Sequence, residues 1–318
     1  MSAALMLAVA VLLTLPVAAQ DGNPSRGLWV WETSPLLSDP AQRAAFFNFC
    51  ERHNIDVAGV YIRTEPTPGG RRLNNAPEWA AVLAESTGRG MRLHALDGDP
   101  SYALHAHHDT MLAVVDAVIS YNASVEPSAR FSGIHFDVEP YLLPEWKTPE
   151  TRERLLGEYL DVNDRAAKRS RAAGLVYGVD IPFWWQVKDE ATGEPVSVST
   201  FQGVRKSATE HLLAMVDNVG IMAYRNVPTG PQGIVSLALE TLDSADRISQ
   251  ARVFVGLETE KISEGVPENT TFANKSLKEL QEALAIVDRV FIGRPSFAGV
   301  AVHSYVTLKE LEERLQAK

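Results

Sequence analysis

The stretch SGIHFDVEP, from Ser132 to Pro140, sets His135, Asp137 and Glu139 two residues apart. Side chains alternate between faces along an extended strand. Gly133, His135, Asp137 and Glu139 therefore share one face, and Ile134, Phe136 and Val138 the other. If the apolar row packs under helices, the ionisable row points into an enclosed interior. Buried ionisable groups are costly unless partnered, and burial is one way a carboxyl group stays protonated near neutral pH. Two acids in such a row suit general acid–base work, in which one keeps a proton to give away and the other stays ionised.

The rest of the chain supplies a frame for that row. Strand-like apolar runs are expected at Gly27–Glu32, Val57–Arg63, Met91–Leu96, Ser132–Glu139, Leu175–Ile181, Asn218–Tyr224, Arg252–Glu258 and Ala298–Ser304. Helical stretches are expected between them: Pro40–His53, Ala76–Ser86, Asp109–Tyr121, Pro149–Ala173, Thr200–Val216, Pro231–Ile248 and Ser276–Val287, with Leu308–Gln316 last. Strand-then-helix alternation argues for a parallel sheet with crossover helices. Eight of each in a chain of 318 residues predict a single-domain (β/α)8 TIM barrel of the α/β class. The segment WETSPLLSDP after the first strand holds no glycine, which disfavours a dinucleotide-binding open sheet. Glu139 then ends the fourth strand, at the barrel face where such folds carry their active sites.

The fourth-strand segment resembles the D-G-x-D-x-D-x-E signature of family 18 glycoside hydrolases, the chitinases and their relatives. In that likeness Glu139 falls on the proton donor, and Asp137 on the residue that orients the substrate's acetamido group. Ser132 and His135 stand where the pattern has two further Asp. Met222-Ala223-Tyr224-Arg225 is similar to the family's sixth-strand M-x-Y-[DN], with Arg225 in place of the acid, and Tyr224 would hydrogen-bond the reacting sugar. The resemblance implies a divergent glycosidase acting with retention. A second likeness, to the clan A glycoside hydrolases, pairs Glu139-Pro140 with a nucleophile at the end of strand seven, where Glu258 stands with Glu260 close behind. The two likenesses imply different chemistry. In substrate-assisted hydrolysis the acetamido oxygen attacks and Asp137 positions it; in the two-carboxylate route Glu258 attacks directly.

Further candidates surround this centre. Asp180 ends the fifth strand, and Trp184-Trp185 follow; aromatic faces stack on the apolar faces of sugar rings. His303 and Tyr305 stand where the family often places a Trp under the bound sugar, and Arg225 follows Tyr224. These six are the expected substrate-binding residues. Trp29 and Trp31 read as core, and Arg63, if it pointed inward, would need Glu32 or Asp137 as partner. Asp97 and Asp99 read as turn formers. No cofactor or metal site is expected, and Cys50, the single cysteine, cannot form an internal disulfide.

A net charge of −10 disfavours nucleic acid and anionic membrane as partners and is compatible with a carbohydrate substrate. Ala3 to Val17 form an apolar run shorter than a bilayer crossing needs, followed by small residues at Val17-Ala18-Ala19. Residues 1–19 read as a signal peptide, with the barrel over 20–318 and a secreted or periplasmic location. The alternative to a glycosidase is a lectin-like barrel that keeps the sugar groove without turnover.

Overall fold

The computed structural model describes residues 24–190, 192–248, 250–261 and 266–316. The expected export segment lies outside them. Eight parallel strands close into a barrel: β1 Ser25–Val30, β2 Val57–Tyr61, β3 Arg92–Asp97, β4 Gly133–Phe136, β5 Val176–Pro182, β6 Asn218–Met222, β7 Arg252–Glu258 and β8 Phe297–His303. Each strand pairs with its sequence neighbours, and β8 closes on β1 with Ser25 opposite Gly299. The helices around it are α1 Pro40–Arg52, α2 Ala76–Gly88, α3 His108–Ser124, α4 Pro149–Ala172, α5 Ala208–Leu213, α6 Ile234–Ile248, α7 Leu277–Phe291 and α8 Tyr305–Gln316. Among the described residues no helix is long and apolar enough to cross a membrane.

The helices start where the sequence offers caps. Asp39 accepts a hydrogen bond from Ala41 N with Pro40 at the first position of α1, and Ser276 and Glu279 form a reciprocal capping box on α7. The outward strand row, including Ile134, Phe136, Val138, Val179, Ile181 and Val255, is fully buried against these helices. The inward row carries glycines, histidines and acids beside a small apolar cluster of Trp29, Leu96 and Ala301 with Trp31 and Phe254 packed on it. Period-two alternation thus separates the large outer core from a mixed interior that holds the ionisable groups.

One expected helix is partly replaced. Thr200–Val216 folds as an antiparallel hairpin, Val198–Phe201 with Val204–Ser207, before the short α5. Gln202 and Gly203 occupy the left-handed region at φ 49° and 77°. That two-residue turn suits a hairpin and breaks a helix. The loop after β2 also folds as a hairpin, Thr64–Thr67 with Gly70–Leu73.

Candidate active site

Inward positions of adjacent strands build a column of ionisable groups under the C-terminal mouth. At its foot Asp180, 2% exposed, accepts a 2.8 Å hydrogen bond from Trp29 Nε1. The same Oδ2 lies 2.9 Å from His135 Nε2. This close approach depends on missing side chains: a Cβ on Gly220 would collide with the Asp180 carboxylate, and one on Gly178 with the His135 ring. His94, deeper still, is lowered by burial to about 3 and is neutral. The cavity of about 40 Å³ lined by Trp29, His94, His135 and Phe254 is far below the ~300 Å³ of a small-molecule pocket. A ligand of that size must therefore approach from the mouth.

Asp137 and Glu139 stand above this foot. Asp137 Oδ1 and Asp180 Oδ1 are both buried with no hydrogen-bond partner in the protein. A buried carboxylate oxygen without a donor is expensive, and a proton on Asp137 lessens that cost there. Burial, then the charges of Asp180 and Glu139, push the Asp137 carboxyl well above the usual range. Burial first and Asp180 second raise Glu139 from 4.5 to about 7. The Tyr141 hydroxyl donates to Glu139 Oε1. Glu139 can therefore carry a proton near neutral pH, as a general acid must.

Strands six to eight supply the facing groups. Tyr224 follows β6, and burial, then the charges of Glu258, Asp137, Asp180 and Glu139, push its hydroxyl far up. It stays a donor. Trp31 Nε1 donates to His303 Nε2 over 2.8 Å, and His303 Nδ1 lies 3.1 Å from Glu258 Oε2. An indole N–H only donates, so Nε2 accepts and Nδ1 carries the proton. Burial lowers the His303 pKa, and the hydrogen bond and charge of Glu258 outweigh it to give a net rise. The Trp31 bond opposes that rise, because a proton on Nε2 would displace it. Glu258, 8% exposed, also accepts from Glu260 N at 2.7 Å.

No protein-family model matches the chain, and no curated protein matches it. Solved structures do. A chitinase from Chromobacterium violaceum matches at a TM-score of 0.53 and 13% identity, covering 92% of this chain and 99% of that one. A GH18 chitinase from Cycas revoluta in complex with (GlcNAc)3 matches at 0.56 and 10% identity, covering 92% and 98%. The glycoside hydrolase domain of PgaB from Bordetella bronchiseptica matches at 0.53 and 11%, covering 92% and 97%. This chain shares their fold. The resemblance first seen in two strand-end motifs therefore extends to the path of the whole barrel.

The structure gathers Asp137, Glu139, Asp180, Tyr224, Glu258 and His303 at one end of the barrel, and corrects several other expectations. Trp185 is fully buried, stacked on Trp146 at 6.2 Å and edge-on to Tyr159 at 5.8 Å. It is core, with no face left for a sugar. Trp184 is half-buried and packs edge-on to Tyr141 at 5.2 Å and Trp146 at 5.7 Å. Tyr305 begins α8, because β8 ends at His303, and packs against Phe46 and Phe49 in the helix layer. Asp180 holds Trp29 through Oδ2 and leaves Oδ1 without a partner in the protein, and its charge acts on both Asp137 and Glu139. Trp29 is core as expected, whereas Trp31 is half-buried and holds His303. Arg63 is exposed beside the Tyr61 ring and needs no buried partner.

Tyr141 and Trp146 were missed by the sequence reading. The only signal for them is two aromatic residues within seven positions of Glu139, in a loop of no regular period. Asp97 and Asp99 do form turns, accepting from Gly98 N and Ser101 N. Among the described residues no group of three or more His, Cys, Asp or Glu side chains could hold a metal ion.

Proposed function

We propose that this chain is an exported glycosidase that cleaves a glycan bearing acetamido sugars, with net retention and with Glu139 as proton donor. The observation that carries the reading is the pairing of Glu139, raised to about 7, with Asp137 two residues away on the same inward row. Glu139 protonates the leaving oxygen. As the glycosidic bond breaks, the acetamido oxygen of the same sugar attacks the anomeric carbon, and Asp137 takes the amide N–H to hold the group in line. The charge of Asp180 favours the protonated forms of Asp137 and Glu139, and the carbonyl oxygen of the Asp137 carboxyl group accepts the amide N–H. The Tyr224 hydroxyl donates to the reacting sugar. Glu139, now ionised, draws a proton from water to open the intermediate with the original configuration.

Glu258 is the weaker candidate for attack, because its oxygens are engaged by His303 and Glu260 N. The charges acting on Glu139 are those of Asp180 and His303. The likeness in fold to chitinases and a GH18 structure holding (GlcNAc)3 supports an amino-sugar polymer as substrate, and the apolar leader supports a secreted or periplasmic location.

The test is release of reducing ends from chitin, peptidoglycan glycan strands, β-glucans and galactosaminoglycan by the wild type and Glu139→Gln. Release by the wild type with a loss of ~100-fold or more in the variant fits the scale of general acid catalysis. Equal rates would remove Glu139 from the mechanism. Binding to one polymer with no release by the wild type would make the chain a lectin-like barrel.

A further inference from the structure

Arginines withdrawn from solvent in this protein mostly meet a carboxylate. Arg26 pairs with Asp288, Arg43 with Glu85, Arg165 with Asp161 and Arg294 with Asp246. Three half-buried arginines have no carboxylate partner among the described residues, and each follows the C-terminal end of a barrel strand. Arg71 bonds Thr64 in the hairpin after β2, Arg152 lies 5.5 Å from the Trp146 ring after β4, and Arg225 follows Tyr224 after β6. The last is the least satisfied. Its Nη1 donates to the Tyr224 carbonyl at 2.7 Å and its Cζ sits 5.0 Å over the Phe183 ring, while its Nε is buried with no acceptor.

A guanidinium taken partly out of water without an anion is a cost that Phe183 and one carbonyl offset only in part. With Nη1 committed, the edge carrying Nε and Nη2 remains. That edge presents two parallel N–H donors, the geometry that matches the two oxygens of a carboxylate. Arg225 also directly follows the Tyr224 that the proposed reaction uses, just beyond the C-terminal end of β6.

We propose that Arg225 sets the substrate class of this site: it binds a carboxylate on the glycan, so the preferred polymer carries an acidic sugar beside the acetamido sugar. This rests on the glycosidase reading above. Two glycan chemistries bring a carboxylate next to an acetamido sugar, a uronic acid in the chain and a lactyl ether on the amino sugar itself. Hyaluronan represents the first and peptidoglycan glycan strands the second.

The experiment compares each acidic glycan with its own carboxyl-reduced form, in the wild type, Arg225→Gln and Arg225→Lys, with melting curves to establish folding. The readout is the ratio of kcat/KM for acidic over reduced glycan. The wild type is expected to favour the acidic form of one glycan. Arg225→Gln should cut that ratio by about 10- to 100-fold, the usual scale for losing hydrogen bonds to a charged group. Arg225→Lys keeps the charge but loses the fork and should fall between, with a wild-type preference that weakens as salt is added. A wild-type ratio near one, or a ratio that Arg225→Gln leaves unchanged, overturns the proposal. If the wild type releases reducing ends from no glycan, the glycosidase reading fails by itself. The same pairs are then compared by calorimetric binding, where tighter binding of the acidic form that is lost in Arg225→Gln upholds the Arg225 site and equal binding overturns it.

Discussion

Replacing Glu139 by Gln should make the protein more stable, by a margin that opens as pH rises from about 4.5 and is complete above about 7. The folded pKa is about 7 against 4.5 for the free group. Between those values the folded state holds a proton that the unfolded chain releases. Stability therefore falls as pH rises through this window and levels off above about 7. At ~1.4 kcal/mol per pH unit the full cost over this window is about 3.5 kcal/mol, and partial solvent access brings the expected value nearer 2 kcal/mol. Gln carries the shape of the protonated acid without its titration. Urea unfolding at pH 8 should show Glu139→Gln ahead by about 2 kcal/mol, and at pH 4.5 the two proteins should agree within roughly 0.5 kcal/mol. A variant that is less stable at pH 8, or one with the same offset at both values, would refute the claim that Glu139 is held protonated by its surroundings.

The same value sets the alkaline side of the rate profile: kcat/KM should fall about tenfold per pH unit above roughly 7. Asp180→Asn, which removes a charge acting on both acids, should move that limb to lower pH; a limb that stays in place would show Asp180 to be structural only. The adjacent tryptophans should separate cleanly. Trp185→Ala empties a fully buried site and should cost ~3–5 kcal/mol of stability, whereas Trp184→Ala should cost less and instead raise KM. Equal stability losses would place both in the core. Glu258→Gln should retain activity within ~100-fold of the wild type, while loss of a true nucleophile would cost ~10⁴-fold or more; steady-state rates on one glycan decide between these.

The barrel was legible because strand residues in this chain obey period two with few exceptions. Leu28, Val30, Ile134, Phe136, Val253 and Val255 pack outward, while Trp29, His135, Asp180 and His303 point inward, so each strand announced both its faces. Asp137 and Glu139 were readable for the same reason. What alternation could not carry was pairing between strands. That Asp180 on β5 would meet His135 on β4 and Trp29 on β1 depends on register and on Gly178 and Gly220, which look in sequence like weak points of a strand. Beyond the strand ends, periodicity stops informing. Trp184 and Trp185 sit in a 3₁₀ turn, Phe183–Gln186, where neighbouring side chains diverge by about 120°, so one packs inward and the other does not. Tyr305 failed similarly, one residue inside a helix that was expected to begin at Leu308. The hairpin after β5 was hidden by Thr200–Val216 having the length and apolar content of a helix, with Gly203 its sole breaker.

The proposed mechanism turns on Glu139 giving a proton to the departing oxygen. The most direct measurement compares Glu139→Gln with the wild type on two N-acetyl amino-sugar glycosides of the same glycan, one with a sugar leaving group and one with 2,4-dinitrophenolate, which departs without protonation. The expected result is a loss of ~100-fold or more with the sugar leaving group and near-equal rates of bond cleavage with the dinitrophenyl glycoside. Equal losses on both substrates would contradict the claim and assign Glu139 to some role other than proton donation.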